Sequence, residues 1–180
     1  MLIKIFPEMW NTKRLVINDL KDNEIHIVQK LYEQGSYIQQ WDGSDFDNKY
    51  IQRCITSGDL PPNGIVEQFR IQVIRIKDTE PIVGILNTYH GHPNPETFYI
   101  NYLYIDKKYQ SQGLGTELVN GLLGILIQTK YDAVRANVSV KNWPAIRFWT
   151  QLGLTTIKGF FGDRVHSDST FADIELCKQL

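Results

Sequence analysis

The sequence has 180 residues, 42% of them hydrophobic and 22% charged, with a net charge of −1. This composition is typical of a globular protein, and the balanced charge gives no reason to expect a nucleic acid or a membrane surface as a partner. No apolar run approaches the roughly 20 residues of a membrane-spanning helix, the N-terminus does not resemble a signal peptide, and Cys54 and Cys177 fit no metal or redox spacing. We therefore expect a cytoplasmic protein without a metal site.

The first third of the chain predicts one strand followed by two helices. The run RLVINDL alternates apolar and polar residues as a strand does. The run NEIHIVQKLYEQG has an apolar face at helical spacing and ends at Gly35, where a helix is expected to stop. A second and weaker helical pattern lies in DFDNKYIQRCITSG and stops at Gly58.

The middle of the chain has the period of two that is typical of strands. The runs EQFRIQVIRIKD, IVGILNTYH and FYINYLYID are separated by segments rich in turn-forming residues. We expect these runs to form an antiparallel meander from Glu67 to Ile105.

The last third predicts two more helices and three more strands. A helix from about Leu114 to Lys130 contains Gly121 and Gly124, which lower helix propensity and therefore indicate close packing on a neighbour. The run WPAIRFWTQLG has proline in its first turn and glycine at its end, as helices do. The runs with the composition of strands are AVRANVSV, TTIKGFFGD and STFADIEL. This order of elements fits one α+β domain over residues 1–180, with a core of about 12–178.

The segment YQSQGLGTEL lies between a predicted strand and the helix that is predicted to begin at Leu114. The first N–H groups of a helix have no partner within the helix, so a loop with Gly113 and Gly115 at this place can bind an anion such as a phosphate. A tight turn that needs glycine for its own conformation is the alternative. A dinucleotide site would require a third glycine where Leu118 stands, and a P-loop would require a Gly-Lys-Ser/Thr sequence that does not follow.

Two motifs occur in order in the second half of the chain. The first is Gln110-Ser111-Gln112-Gly113-Leu114-Gly115 ahead of a helix, and the second is Asn142 with Ala145 three residues later and Leu152-Gly153-Leu154 at the end of the next helix. Together they resemble the motifs of the GNAT superfamily of N-acetyltransferases. The run TKRLVINDL is also weakly similar to the opening strand of the branch that acetylates ribosomal-protein N-termini. The resemblance implies an α+β fold with a mixed, mostly antiparallel sheet of six to seven strands and helices on both faces.

By this resemblance, the co-substrate is acetyl-CoA, bound in a split between two parallel strands, NYLYI and RANVSV, with no metal. Its pantetheine arm would contact the first strand and an asparagine side chain, and its pyrophosphate would rest on backbone N–H groups of the glycine loop. The implied cofactor-binding residues are Leu103, Ile105, Gln110, Ser111, Gln112, Gly113, Leu114, Gly115, Thr116 and Asn142. The loop lacks the arginine of many relatives, and the candidates for the missing charge are Lys107, Lys108, Lys141 and Arg147.

The general acid departs from the family pattern. Its usual tyrosine, seven residues after the motif asparagine, is replaced by Trp149, and an indole cannot supply a proton at neutral pH. Either Tyr102 or Tyr104 is a candidate replacement, because both lie near the implied thioester site.

The sequence also leaves the identity of the general base open. Some relatives carry a glutamate where this chain has Tyr99, and a neutral phenol is a poor base. Asn101 or Glu96 could position a water molecule instead, and the loop pair His90 and His92 is a further candidate.

We expect the chain to transfer an acetyl group from acetyl-CoA to a primary amine by direct attack in a ternary complex, as a monomer or a homodimer. The amine would belong to a small molecule or to a peptide N-terminus, and it would meet the segments SYIQQWDGSDF and GFFGDRVHSDST, which mix aromatic and acidic residues. Two alternatives stay open. One is a non-catalytic acyl-CoA-binding or regulatory module, suggested by Trp149, and the other is an unrelated interaction domain whose glycine loop is only a turn.

Overall fold

The structure, a computed structural model, describes residues 6–180. Within them, eight strands form one sheet in the order β1-β2-β3-β4-β5-β6-β8-β7. The strands are β1 (Met9–Asn11), β2 (Leu15–Asp19), β3 (Phe69–Ile76), β4 (Ile82–His90), β5 (Thr97–Ile105), β6 (Ala133–Ser139), β7 (Thr156–Gly162) and β8 (Ala172–Gln179). The helices are α1 (Ile25–Gln34), α2 (Gln39–Asp42), α3 (Tyr50–Ser57), α4 (Leu114–Leu126) and α5 (Trp143–Gln151). None of the helices in this part of the chain is long and apolar enough to cross a membrane.

Neighbouring strands are antiparallel everywhere except between β5 and β6, which run parallel. The meander β3-β4-β5 lies where period-two alternation predicted it, and the predicted fold class is confirmed. The sheet has more strands than the six to seven expected. The short strand β1, which pairs with β2, has three residues, too few to show a period-two pattern in the sequence.

Helices cover both faces of the sheet, because neighbouring residues of a strand point to opposite sides. On one face, Leu86 of β4 joins a core cluster with Leu118 of α4 and Trp149 of α5. On the other face, Ile85 joins a second cluster with Val28 of α1 and residues of α3. The sheet is therefore the shared middle layer of two hydrophobic cores.

The two glycines inside α4 differ in their surroundings. A Cβ atom at Gly121 would lie 2.7 Å from the Thr12 side chain and 3.3 Å from Trp10, so the β1–β2 hairpin packs closely on the helix there. A Cβ atom at Gly124 would meet nothing within 4 Å. The predicted close packing is right for Gly121 and wrong for Gly124. The helix also ends at Leu126, before the predicted Lys130, because residues 127–130 form a turn.

Two irregularities in β5 open a gap along one side of this strand. The register with β4 shifts so that Asn87 pairs with Tyr102 while Thr88 pairs with Ile100, which leaves Asn101 as the extra residue of a bulge. Strand β5 pairs with β6 only from Thr97 to Ile100. Beyond that point the two parallel strands part, and their polar backbone groups face the gap between them.

Candidate active site

A cleft of about 530 Å³ opens where β5 and β6 separate. It is lined by the end of β5, the glycine loop, the first turn of α4 and one side of α5. The predicted cofactor-binding residues that line it are Leu103, Ile105, Gln110, Ser111, Gly113, Leu114, Gly115, Thr116 and Asn142. The fold thus brings nine of the predicted residues, from β5, the glycine loop and the start of α5, to one cleft.

Gln112 is the predicted cofactor-binding residue whose side chain lies elsewhere. Its amide Nε2 donates a hydrogen bond to the backbone oxygen of Lys108 at 3.0 Å, and the residue is exposed. By contrast, the side chain of Gln110 folds back onto the strand, donating to the backbone oxygen of Ile105 at 2.7 Å. The two glutamines therefore shape the loop rather than supply charge.

The glycine loop ends in an uncapped helix. Gly113 is the N-cap of α4 with a φ of 77°, a left-handed conformation that glycine adopts without strain, and no side chain caps the helix in the described part of the chain. The first N–H groups of α4 consequently lack partners inside the helix and carry the positive end of its dipole. Phe148 limits the space next to the loop, because a Cβ atom on Gly115 would lie 3.3 Å from its ring. This geometry fits an anion-binding loop better than it fits a tight turn without a ligand.

An arginine that the sequence pattern did not indicate lies beside the loop. Arg14, between β1 and β2, pairs through Nε with Glu117 Oε2 at 2.5 Å and donates from its guanidinium to the backbone oxygen of Gln112 at 3.1 Å. A Cβ atom on Gly113 would lie 3.6 Å from the other guanidinium nitrogen. The contact joins segments 103 residues apart, so no local motif could reveal it.

The carboxylate of Glu117 is held ionised by this contact. Burial by itself would raise its pKa, but hydrogen bonds from Thr12 and Arg14 outweigh burial and lower the pKa to about 2. The hairpin between β1 and β2 is thereby tied to the first turns of α4.

Helix α5 contributes two residues of the second motif. Asn142 caps the helix, since its Oδ1 accepts the Ala145 N–H at 3.1 Å, which leaves the amide nitrogen as the part of the side chain that can reach a ligand. Trp149 is 7% exposed, stacks edge-on against Phe148 and lines the cleft. Trp149, at the position where the resemblance implies a general acid, thus presents an indole to the cleft.

A second space of about 280 Å³ lies in the gap between β5 and β6 and shares Leu103, Asn142 and Trp149 with the large cleft. A third, of about 250 Å³, adjoins it through Asn101 and Asn137, which line both. We call the third space the acceptor cavity. Carboxylates line both smaller spaces: Asp42 and Asp173 in the second, Asp59 and Glu175 in the acceptor cavity.

The three catalytic candidates have different surroundings. Tyr104 lines the large cleft, its buried hydroxyl has no hydrogen-bond partner among residues 6–180, and burial raises its pKa to about 12. Tyr99 lines the acceptor cavity and donates to Glu175 at 3.2 Å, and burial together with that carboxylate raises its pKa. Both phenols stay protonated at neutral pH, which argues against Tyr99 as a base. Asn101 lies between the two smaller spaces and donates to the backbone oxygen of Asp59 at 2.9 Å.

The remaining candidates lie away from the cleft. His90 is held by Tyr131 at 3.0 Å and packs on Phe98, and burial lowers its pKa to about 4. It is therefore neutral at physiological pH and belongs to the core. His92 lines the acceptor cavity, and Glu96 is exposed in the loop before β5. No group of His, Cys, Asp or Glu side chains within residues 6–180 could hold a metal ion.

The cleft between splayed parallel strands, with an uncapped helix at its end, defines a site for an acyl-CoA. Residues 36–154 match the Acetyltransferase (GNAT) family, so the chain belongs to that family, and acetyl-CoA is its acetyl donor. The predictions of family and co-substrate are confirmed. No curated protein matches the sequence significantly.

Solved structures with the same fold include several acetyltransferases. A GNAT-family acetyltransferase from Chromobacterium violaceum has a TM-score of 0.75 at 13% identity, covering 97% of this chain and 87% of its own. RimL, described as a ribosomal L7/L12 alpha-N-protein acetyltransferase in complex with coenzyme A, has a TM-score of 0.72 at 13% identity and covers 96% and 98%. An acetyltransferase from Salmonella typhimurium has a TM-score of 0.69 at 14% identity and covers 94% and 96%. At such identities these likenesses show the fold alone.

Proposed function

We propose that this chain acetylates a primary amine, in a small molecule or at a peptide N-terminus, by direct attack in a ternary complex. The observation that carries the proposal is the two-sided gap between β5 and β6. A cofactor cleft opens on one side, and a cavity with acidic side chains lies on the other, joined through the space that Trp149 and Asn101 line. Donor and acceptor can therefore approach one point from opposite sides.

Acetyl-CoA would lie along the cleft with its pyrophosphate at the start of α4, its pantetheine arm beside β5 and its thioester near the bulge. The pyrophosphate would accept hydrogen bonds from the free N–H groups at the start of α4, where helix dipole and left-handed Gly113 favour an anion. The pantetheine arm would pair with the backbone of Leu103 and the N–H of Ile105, which β6 leaves free, and with the amide nitrogen of Asn142. The carbonyl oxygen of Ile105 already accepts a hydrogen bond from Gln110. The thioester would then lie near the bulge in β5.

The reaction would consume a neutral amine. An alkylammonium, with a pKa of about 10, must first lose a proton, which passes to solvent water. The nitrogen then attacks the thioester carbonyl carbon while a backbone N–H, which we place at Leu103, stabilises the developing oxyanion. The C–S bond breaks, its electron pair leaves on sulfur, and the second proton of the nitrogen ends on that sulfur to give free CoA. Because a thiol pKa is about 8.5, the thiolate leaves readily even if Trp149 cannot protonate it.

Two acceptor classes are supported by different observations. The acceptor cavity, of about 250 Å³, has room for a small amine. The Salmonella neighbour is described as modifying the N-terminal serine of ribosomal protein L7/L12, which supports a peptide N-terminus.

The test is acetyl-CoA turnover against butylamine, phenethylamine and a hexapeptide that begins with serine, with the acetylated product identified by mass spectrometry. We expect at least one of the three to be acetylated with stoichiometric release of CoA. If calorimetry detects acetyl-CoA binding but no amine is acetylated, the non-catalytic acyl-CoA module replaces this proposal.

Two glycine variants of α4 test the cofactor site in the same assay. Gly115→Val places a branched side chain against Phe148 and should weaken acetyl-CoA binding severalfold. Gly124→Ala on the same helix points into open space, and it should leave binding unchanged while adding about 0.5–1 kcal/mol to the free energy of unfolding. Equal binding by both variants would contradict a cofactor contact at the start of α4.

A further inference from the structure

A buried polar cluster lies beside the acceptor cavity. Tyr50 donates its hydroxyl hydrogen to Asp59 Oδ2 at 3.0 Å, and Asn87 Nδ2 donates to that hydroxyl at 3.2 Å. From the bulge, Asn101 Nδ2 donates to the backbone oxygen of Asp59 at 2.9 Å. The amide oxygens of both asparagines are buried and have no hydrogen-bond partner among residues 6–180.

The unpaired amide oxygens of Asn87 and Asn101 indicate where additional hydrogen-bond donors would be favourable. Asn87 is fully buried, and an amide oxygen without a donor is costly in such surroundings. The bulge places Asn101 and Tyr102 opposite Asn87, and hydrogen bonds join both amides to the Tyr50–Asp59 pair. Their nitrogens are already directed at the Tyr50 hydroxyl and at Asp59. Asn101 also lines the acceptor cavity, whereas Asn87 lines none of the three spaces, so the oxygen of Asn101 is the one that a ligand there can meet.

The charges in the acceptor cavity indicate which kind of hydrogen-bond donor would bind there. Glu175 is paired with Arg135 at 2.6 Å and accepts the Tyr99 hydroxyl. Asp59, which lines the same cavity, forms no ion pair with the residues that the structure describes. A ligand that matches this place therefore carries positive charge as well as N–H groups.

We propose that Asp59 and Asn101 form the site that binds the ammonium group of the acceptor. An alkylammonium donates through its N–H groups, and these two residues offer it a carboxylate and an amide oxygen at the wall of the acceptor cavity. Asn101 also lines the gap between β5 and β6, so an ammonium held there lies next to the thioester site. This assignment rests on the proposed function, and it names a residue of the loop after α3 and the bulge residue of β5, which lie outside both sequence motifs.

Asp59→Asn tests the assignment, because the substitution removes the charge but can still accept the Tyr50 hydroxyl. We expect the KM for the most active amine of the three-member panel to rise about 10- to 100-fold, as the loss of a hydrogen bond to a charged group predicts. The affinity for acetyl-CoA, measured by calorimetry, should not change. The matched control is Asp78→Asn, because Asp78 is exposed in the turn between β3 and β4 and lines none of the three spaces, and its KM values should equal those of the wild type.

Two results would overturn the assignment. If Asp59→Asn keeps the amine KM of the wild type, the oxygens of the cluster meet water rather than substrate. If the variant loses acetyl-CoA affinity as well, Asn101→Leu replaces it, and an unchanged amine KM in that variant has the same meaning. Failure of the proposed function looks different, because in that case the wild type itself acetylates none of the three amines.

Discussion

Trp149 stands in the cleft at the position where the resemblance to the family implies a catalytic tyrosine. Trp149 packs against Phe148 and faces both the cofactor cleft and the gap between β5 and β6. We expect Trp149→Tyr to raise kcat about tenfold or more, because a phenol there could protonate the departing sulfur, and general acid catalysis is typically worth at least 10²-fold. The measurement is the rate of CoA release at saturating amine.

Trp149→Phe is the matched control, since it removes a similar volume without supplying a hydroxyl. Its kcat should stay at or below that of the wild type. Both variants leave space in a buried site, so their unfolding temperatures should fall together. If the tyrosine and phenylalanine variants have equal kcat, another group already protonates the thiolate, and the unpaired hydroxyl of Tyr104 is the first candidate.

At the scale of the elements, local pattern predicted most of the fold and the donor half of the site. Period-two runs marked the meander, and proline and glycine marked the ends of α5, because both signals depend on residues close in sequence. The bulge at Asn101 could not be predicted, since it arises from pairing with β4. Arg14 and Asp59 were missed for the same reason. Their contacts cross 98 and 42 residues, to Gln112 and Asn101, and leave no local trace.

The hydrogen bonds and the ion pair between the β1–β2 hairpin and Glu117 of α4 should make the free energy of unfolding depend on pH. The pKa of Glu117 is lowered from 4.5 to about 2 in the folded chain, so the unfolded chain binds its proton first on acidification. The stabilisation is therefore fully present above about pH 5 and is lost as the pH falls towards 2. We expect Glu117→Gln to unfold more easily than the wild type at pH 7, with the difference shrinking as the pH falls.

Urea unfolding at pH 7 and at pH 3 measures this difference directly. The control is Glu96→Gln, which alters an exposed loop carboxylate that forms no ion pair with the described residues. A constant gap between Glu117→Gln and the wild type at the two pH values would show that the contact with Arg14 and Thr12 does not stabilise the ionised carboxylate.

At the scale of the whole molecule, one sheet is shared by two cores that lie on its opposite faces. Residues such as Leu86 and Ile85 are neighbours in β4 but belong to different cores, so neither core can lose its packing without exposing the sheet. This arrangement supports one cooperative domain, as the order of elements predicted, and the cysteines provide a way to test it.

Cys54 lies on the buried face of α3, in the core that α3 shares with α1, whereas Cys177 lies in β8 towards the other end of the sheet, and both are buried free thiols. Burial raises the pKa of Cys54 to about 12, so this thiol should not react with a disulfide reagent in the native state. In the single-cysteine variants Cys54→Ala and Cys177→Ala, we expect the remaining thiol to become reactive at the same urea concentration, because the whole sheet unfolds together. The circular dichroism transition of each variant is the reference for its own labelling curve. If Cys54 is labelled well below that transition while Cys177 is still protected, the layer of α1 and α3 opens separately from the part of the domain that contains β8 and the acetyl-CoA cleft.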